Sequence, residues 1–221
     1  MKKFELTSEF ITNIFGTKLF RIKALVEFGN VKAGDLGGYV EKEENLSHEG
    51  NAWVYGNARV CGNAWVYGNA RVCGNARVYG NARVCGNAWV CGNAWVYGDA
   101  RVYGNAEVCG NARVCGDALV CGDAEVYGNA RVYGNARVCG DAEVSSNDDY
   151  AIGQGFGSEH RATTFFRTKS GEIGVKCGCF YGTLSEFRKK VVETHGETKK
   201  AKEYLMLADL MEFRFSDSDN K

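Results

Sequence analysis

From Gly50 to Ser145 the chain repeats one six-residue pattern sixteen times without insertion or deletion: Gly, Asn or Asp, Ala, a variable residue x, Val, and a sixth residue z. Within each hexad, Ala-x-Val alternates small apolar, variable and β-branched apolar side chains. That period of two sets alanine and valine on one side of a short strand and x on the other. The next three residues, z-Gly-(Asn/Asp), read as a corner, because glycine and asparagine tolerate the positive φ that a sharp bend requires. Three residues of strand and three of corner leave no room for a hairpin reversal. The strand instead turns by about a third of a circle and stacks on the coil below at the ~4.8 Å spacing of paired strands. Three hexads then close one triangular coil, with alanine and valine filling its narrow interior. Self-similarity at a fixed short period marks a solenoid, and sixteen hexads at three per coil give a prism about 25 Å long with five and one third coils.

The register Val-z-Gly-(Asn/Asp)-Ala-x resembles the hexapeptide repeat of left-handed β-helices, an aliphatic residue followed four places later by a small one. The resemblance covers 96 of 221 residues and implies an all-β solenoid, a left-handed parallel β-helix of about five coils. Upstream, Arg21-Ile22-Lys23-Ala24-Leu25, Gly34-Asp35-Leu36-Gly37-Gly38-Tyr39-Val40 and Glu43-Glu44-Asn45-Leu46-Ser47 are similar to the leader of hexapeptide-repeat proteins from bacterial genomes and prophages. Among these the YdcK-like group carries a transferase label, which follows the shared repeat and is analogy at the level of fold.

Three parts are expected: an N-terminal β cap over 1–49, the β-helix over 50–145, and a small α+β module over 146–221. An open β-helix end exposes strand edges and an apolar interior, so both ends need covering. Phe4–Leu6 and Lys18–Phe28 supply apolar residues for one plug, with a turn at Phe15-Gly16-Thr17 between them. Gly38-Tyr39-Val40 and Asn45-Leu46 approximate two degenerate hexads, and Gly34–Gly38 reads as a tight turn in preference to a phosphate loop. After a polar break at Asn147–Tyr150, Ala162–Thr168 and Ile173–Cys179 predict a hairpin turning at Lys169–Glu172. Thr183-Leu184-Ser185-Glu186 is a capping box opening a helix with Leu184, Phe187 and Val191 on one stripe, ended by Gly196. A second helix is expected over about Lys199–Phe213, with Ala201, Tyr204, Leu205, Ala208 and Met211 inward.

With the interior fixed, chemistry is left to the x positions, where residues eighteen apart share a face. One face carries Trp53, Arg71, Trp89, Glu107, Glu125 and Glu143; a second Arg59, Arg77, Trp95, Arg113 and Arg131; a third Trp65, Arg83, Arg101, Leu119 and Arg137. Arginine interleaved with tryptophan suits phosphates and bases. Yet the hexads hold eight Arg against three Glu and four Asp, and the whole chain balances 27 basic against 27 acidic residues. A nucleic-acid footprint shows as basic excess, so a solvated wall is the expectation. Trp53, Trp65, Trp89, Trp95, Arg59, Arg77, Arg113 and Arg131 remain the candidate contact residues. Gly155, Gly157, His160 and Arg161, in the Gly-rich stretch Gly153–Arg161, are candidates to hold an anion on backbone amides; a flexible connector is the plainer reading.

The z positions vary between tyrosine and cysteine, which aligns Cys73, Cys91 and Cys109 in one column and Cys121 with Cys139 in another, where adjacent-coil thiols could bridge or bind a soft metal. Tyr/Cys, Arg/Trp and Asn/Asp are each one nucleotide apart, so this variation reads as drift after tandem duplication, and reduced thiols are expected. Cys177-Gly178-Cys179 would direct two sulfurs to one side of a strand, but no C-x-x-C spacing joins them to His160 or His195. No metal or cofactor is indicated. Hexapeptide-repeat acyltransferases, which the chain resembles in fold, use a histidine on the coils as general base. Here His48, His160 and His195 are the only histidines, and none lies in the regular coils; His48 stands at their threshold. The expected function is therefore a non-enzymatic scaffold that binds a protein partner or itself, its tryptophan faces packing into a trimer or an end-to-end polymer. Acyl transfer and nucleic-acid binding are the alternatives. Met1–Leu6 has no apolar run of a signal peptide and no stretch reaches the ~18–20 apolar residues of a membrane span, so a cytoplasmic protein without membrane contact is expected.

Overall fold

Sixteen two-residue strands, one per hexad from Trp53–Val54 to Glu143–Val144 (β4 to β19 in chain order), stack in parallel in a computed structural model that describes residues 1–14, 16–157 and 159–216. Phe15, in the expected N-terminal turn, and Ser158, in the Gly-rich stretch, lie outside the described residues. Partners are eighteen residues apart: Arg71 pairs with Trp89 and Trp89 with Glu107 on one wall, Arg77 with Trp95 on the second, Arg83 with Arg101 on the third. These walls are the three columns expected at x, and the result is a parallel β-solenoid. Alanine and valine of every hexad are at most 1 % exposed. Each repeat glycine from Gly50 to Gly140 has φ between 59° and 76°. The asparagines do more than tolerate the corner. Asn51, Asn69, Asn87 and Asn105 each donate through Nδ2 to the next residue in their column, ending on Asp123, at 2.8–3.2 Å. Such carboxamide ladders satisfy side chains that would otherwise need water at every corner.

The coil-to-coil bonds have a direction that determines what each cap must supply. Asn75, Arg77 and Tyr79 donate their amides to Gly92, Ala94 and Val96 of the following coil at 2.8–3.0 Å. The first coil therefore presents carbonyls lacking a preceding donor, and the last presents amides lacking an acceptor.

At the N-terminal end, β1 (Phe4–Thr12), β2 (Lys18–Ala24) and β3 (Leu36–Val40) form an antiparallel meander, and β3 joins the solenoid in parallel by setting Tyr39 on Arg59 and Val40 on Val60. Leu46 bridges to Val66. These are the two degenerate hexads, and they raise the solenoid to about six turns. Their residues lie twenty before their partners, against eighteen for Val54 and Val72, so two extra residues fall between Leu46 and Val54. Phe4, Ile22 and Leu46 close the shaft. The free carbonyls find side-chain donors: Asn45 Nδ2 reaches Gly62 O and Ala64 O (3.0 and 2.8 Å), and Lys3 Nζ reaches Gly50 O and Ala52 O (3.3 and 2.9 Å).

Burial pushes the Lys3 ammonium down to about 8. A lysine lowered in the folded state binds fewer protons there than in the unfolded chain between pH 8 and its ordinary 10.5, so stability rises with pH through that window. The raised Cys61, Cys91 and Cys109 thiols oppose this in both proteins, so chemical denaturation at pH 7.5, 9 and 10.5 should show the wild type gaining stability relative to Lys3→Met as pH rises. A difference between the two proteins that does not change with pH would refute the assignment. Lys3→Met should also lower stability at pH 7.5 by about 1–3 kcal/mol, because two buried carbonyls lose their donor.

The C-terminal end is covered by an antiparallel sheet in the order β20 (Tyr150–Gly153), β21 (Thr163–Arg167), β22 (Ile173–Cys177), β23 (Phe180–Thr183), with α1 (Leu184–His195) and α2 (Lys199–Phe215) packed on it. The expected hairpin is β21–β22, and Thr183 and Glu186 form the expected capping box. The outer strands were not expected: β20 begins inside the polar break, and β23 leads directly into α1. β21 serves two cores by alternation. Phe166 joins Tyr150 in the shaft, while Phe165 meets Phe187 of α1 edge-on at 6.0 Å. Here the free amides find oxygens: Arg131 N–H donates to Asn147 Oδ1 and Arg137 N–H to Thr164 Oγ1 (both 2.9 Å), and Ser145 and Ser146 N–H to Asp149 Oδ2 (2.9 and 2.8 Å). Burial alone would raise the Asp149 carboxyl, but these bonds and the two serine hydroxyls hold it below the usual carboxylate range. Among the described residues no helix is long and apolar enough to cross a membrane.

Candidate functional site

The three walls differ in what their x residues do. On the second wall Trp95 lies between Arg77 and Arg113, whose guanidinium carbons sit 4.9 and 4.8 Å from its ring centre, so its faces are already occupied by cation–π contacts. Arg59 and Arg131 extend that column at either end. On the third wall Trp65 stacks on Tyr67 at 4.1 Å and borders an open groove of about 650 Å³ lined also by Lys42, Asn63, Arg83 and His48. Arg83 and Arg101 lie directly in register above it.

The first wall carries both signs of charge. Arg71 is exposed, Trp89 is 43 % exposed, and Glu107, Glu125 and Glu143 follow in register. Trp89 Nε1 donates to Cys73 Sγ at 3.0 Å. Glu125 pairs with Lys169 Nζ at 2.6 Å, and Glu143 accepts from Tyr127 Oη at 2.6 Å, a bond that pushes the phenol up to about 12. None of the eight coil arginines has a carboxylate within 4.0 Å among the described residues.

Trp53 departs from its expected place on an exposed face. It is 1 % exposed, with Phe4 and Phe28 edge-on at 6.2 and 5.3 Å. The cap folds over the first coil, and this indole belongs to the core. It is unavailable to any ligand of the walls.

His48 is also taken up by the cap. Nδ1 accepts from Lys3 N–H at 3.1 Å, Nε2 lies 3.5 Å from Glu43 Oε2, and the ring stacks on Phe4 at 4.4 Å. Both ring nitrogens are thus engaged within the cap, one by a backbone amide and the other facing Glu43. In the Gly-rich stretch, His160 Nδ1 lies 3.0 Å from Gly155 O, and Tyr204 Oη donates to Phe156 O at 3.3 Å. Gly157 packs so closely on Tyr204 that a side chain there would collide with its ring. Phe156 and Gly157 are thus packed against α2. Arg161 pairs with Glu159 at 3.7 Å on the surface.

The cysteines depart from expectation in two places. Cys121 and Cys139, aligned in adjacent coils as the spacing predicts, form a disulfide, so these two are not reduced thiols. Cys177 and Cys179 do not share a strand side, because Gly178-Cys179 is the turn that lets Cys177 pair with Phe180. Cys177 Sγ accepts from Thr163 Oγ1 at 3.1 Å, and Cys179 is exposed. Among the described residues no three His, Cys, Asp or Glu side chains converge as metal ligands.

One surface was missed by reading α2 only for its inward residues. Met206, Leu210 and Phe213, at i, i+4 and i+7, are exposed on a helix whose other side buries Tyr204, Leu207, Ala208 and Met211. The signal was a second apolar stripe at helical spacing.

The family model described as YdcK Beta solenoid repeat matches residues 52–68, 64–80, 70–86, 76–92, 82–98, 94–110 and 124–140. The solenoid is similar to that repeat over these windows. Each matched window is about one coil of the YdcK-like repeat, and the matches fall within the hexads, leaving both caps outside them. No curated protein matches the chain.

Proposed function

We propose that this protein is a non-enzymatic β-solenoid scaffold, of the kind carried by bacterial genomes and prophages, that acts by binding a protein partner. The observation that carries this reading is the outer stripe of α2: three large apolar side chains left in solvent on a well-packed helix. Contiguous exposed apolar surface marks contact sites, and the i, i+4, i+7 spacing suits a partner's apolar groove or helix. The solenoid supports the same reading by holding the module at a set height on a stiff, loop-free stem. The role of His48 in the cap weighs against acyl transfer.

The test uses one deletion and one substitution. Removing Gly74–Cys91 takes out one coil while leaving every column in phase. Affinity capture followed by mass spectrometry should retrieve the same partner with the full chain and with the shortened chain, and lose it with Leu210→Asp. Capture that depends on the missing coil while the fold persists, or that ignores Leu210→Asp, would sink the reading.

A further inference from the structure

The first wall is self-complementary, and the other two are not. In its column Arg71 lies one coil before Trp89 and Glu107 one coil after, so cation, indole and carboxylate follow at ~4.8 Å intervals. Arg71 has no carboxylate within 4.0 Å and Glu107 no cation within that distance among the described residues. Between them Trp89 leaves 43 % of its surface in water. Glu107 also faces Glu125 in register; Lys169 pairs with Glu125, which leaves Glu107 as the carboxylate of the two without an ion pair among the described residues. The second wall offers Arg59, Arg77, Trp95, Arg113 and Arg131, and the third wall's charged x residues are all arginine. A second copy laid on either would oppose like charges.

We propose that the first wall is a homodimer interface in which two copies lie antiparallel, related by a two-fold axis across the wall at the level of Trp89. That axis reverses the coil direction. It places Arg71 of one copy over Glu107 of the other, and the reverse pair on the opposite side. The two indoles meet at the centre, where the most strongly contributing side chains of an interface are usually found. Asn69, Asn87 and Asn105, in the corner column beside the wall, face their counterparts as a polar rim. Such a closed, isologous arrangement uses one patch on both copies. The wall is narrow and about 25 Å long, which sets the dimer at the small end of specific interfaces, below about 1,200 Å² in total. Association is therefore weak and concentration-dependent. This surface is separate from the α2 stripe, so the scaffold reading and the dimer stand or fall apart.

Sedimentation velocity of the full chain over a concentration series tests the proposal. The wild type should pass from monomer to dimer. Trp89→Ala, Arg71→Glu and Glu107→Arg should each weaken dimerisation by about tenfold or more. The double variant Arg71→Glu with Glu107→Arg should recover dimerisation to near the wild-type level, because the exchanged charges again meet across the axis. Leu210→Asp should leave the dimer unchanged. All three wall residues point outward, and unchanged circular dichroism would confirm that each variant folds. A monomer at the highest soluble concentration would overturn the proposal. So would a trimer, a dimer indifferent to Trp89→Ala, or a charge exchange that fails to restore association.

Discussion

Gly104→Ala should destabilise the protein by about 3–5 kcal/mol, whereas Gly134→Ala should cost only about 1 kcal/mol. Both glycines occupy the same corner of the repeat with φ of +76° and +63°, so both alanines incur the strain of a left-handed residue. The difference lies in what stands in the next coil. A methyl group on Gly104 would meet Gly122 N and O, both at 2.9 Å, whereas one on Gly134 would meet nothing within 4 Å. The obstacle at Gly104 is backbone, which can yield only if the coils separate and their bonds lengthen. Gly134 is in the last regular turn, with open space beyond it. Thermal unfolding of the two variants beside the wild type checks this. Equal losses would mean that φ strain alone determines the repeat glycine and that the spacing between coils does not.

The same comparison shows why the fold was legible in the sequence. A six-residue period forces each residue type into a column with its own kind, so one inference about alanine, valine and glycine is tested sixteen times within the chain. The walls followed from counting by eighteen. The caps were legible as apolar segments but not in detail, because their task is set by the direction of the coil-to-coil bonds. Nothing local identifies Lys3 and Asn45 as donors to an edge of carbonyls, or Asn147, Asp149 and Thr164 as acceptors for an edge of amides. Those roles appear only once the open ends exist. β20 was hidden for the same reason: Tyr150-Ala151-Ile152-Gly153 is short and follows a polar turn, and it is a strand because β21 lies beside it. The disulfide was legible as a column and not as a bond, since Cys91 and Cys109 share a column in the same way and remain free.

The candidate contact surface was legible only where position along the rod did not matter. Asn51-Ala52-Trp53-Val54 and Asn87-Ala88-Trp89-Val90 are identical tetrapeptides on the same wall, yet Trp53 is 1 % exposed and Trp89 43 %. No local rule separates them; the fold of residues 1–49 over the first coil does. Trp53→Ala should therefore cost about 3–5 kcal/mol, the range for emptying a large aromatic site, and lower the unfolding midpoint by about 10 °C for a chain of this size. The indole leaves a void between Phe4 and Phe28, beside the Ala52 carbonyl that Lys3 holds, so the loss reaches both the packing and the capping of that end. Trp89→Ala at low protein concentration should stay within about 0.5 kcal/mol of wild type, as for an exposed position. Differential scanning calorimetry of both variants decides the matter: similar midpoints would mean that the cap does not bury Trp53 and that the first coil is as open as those above it.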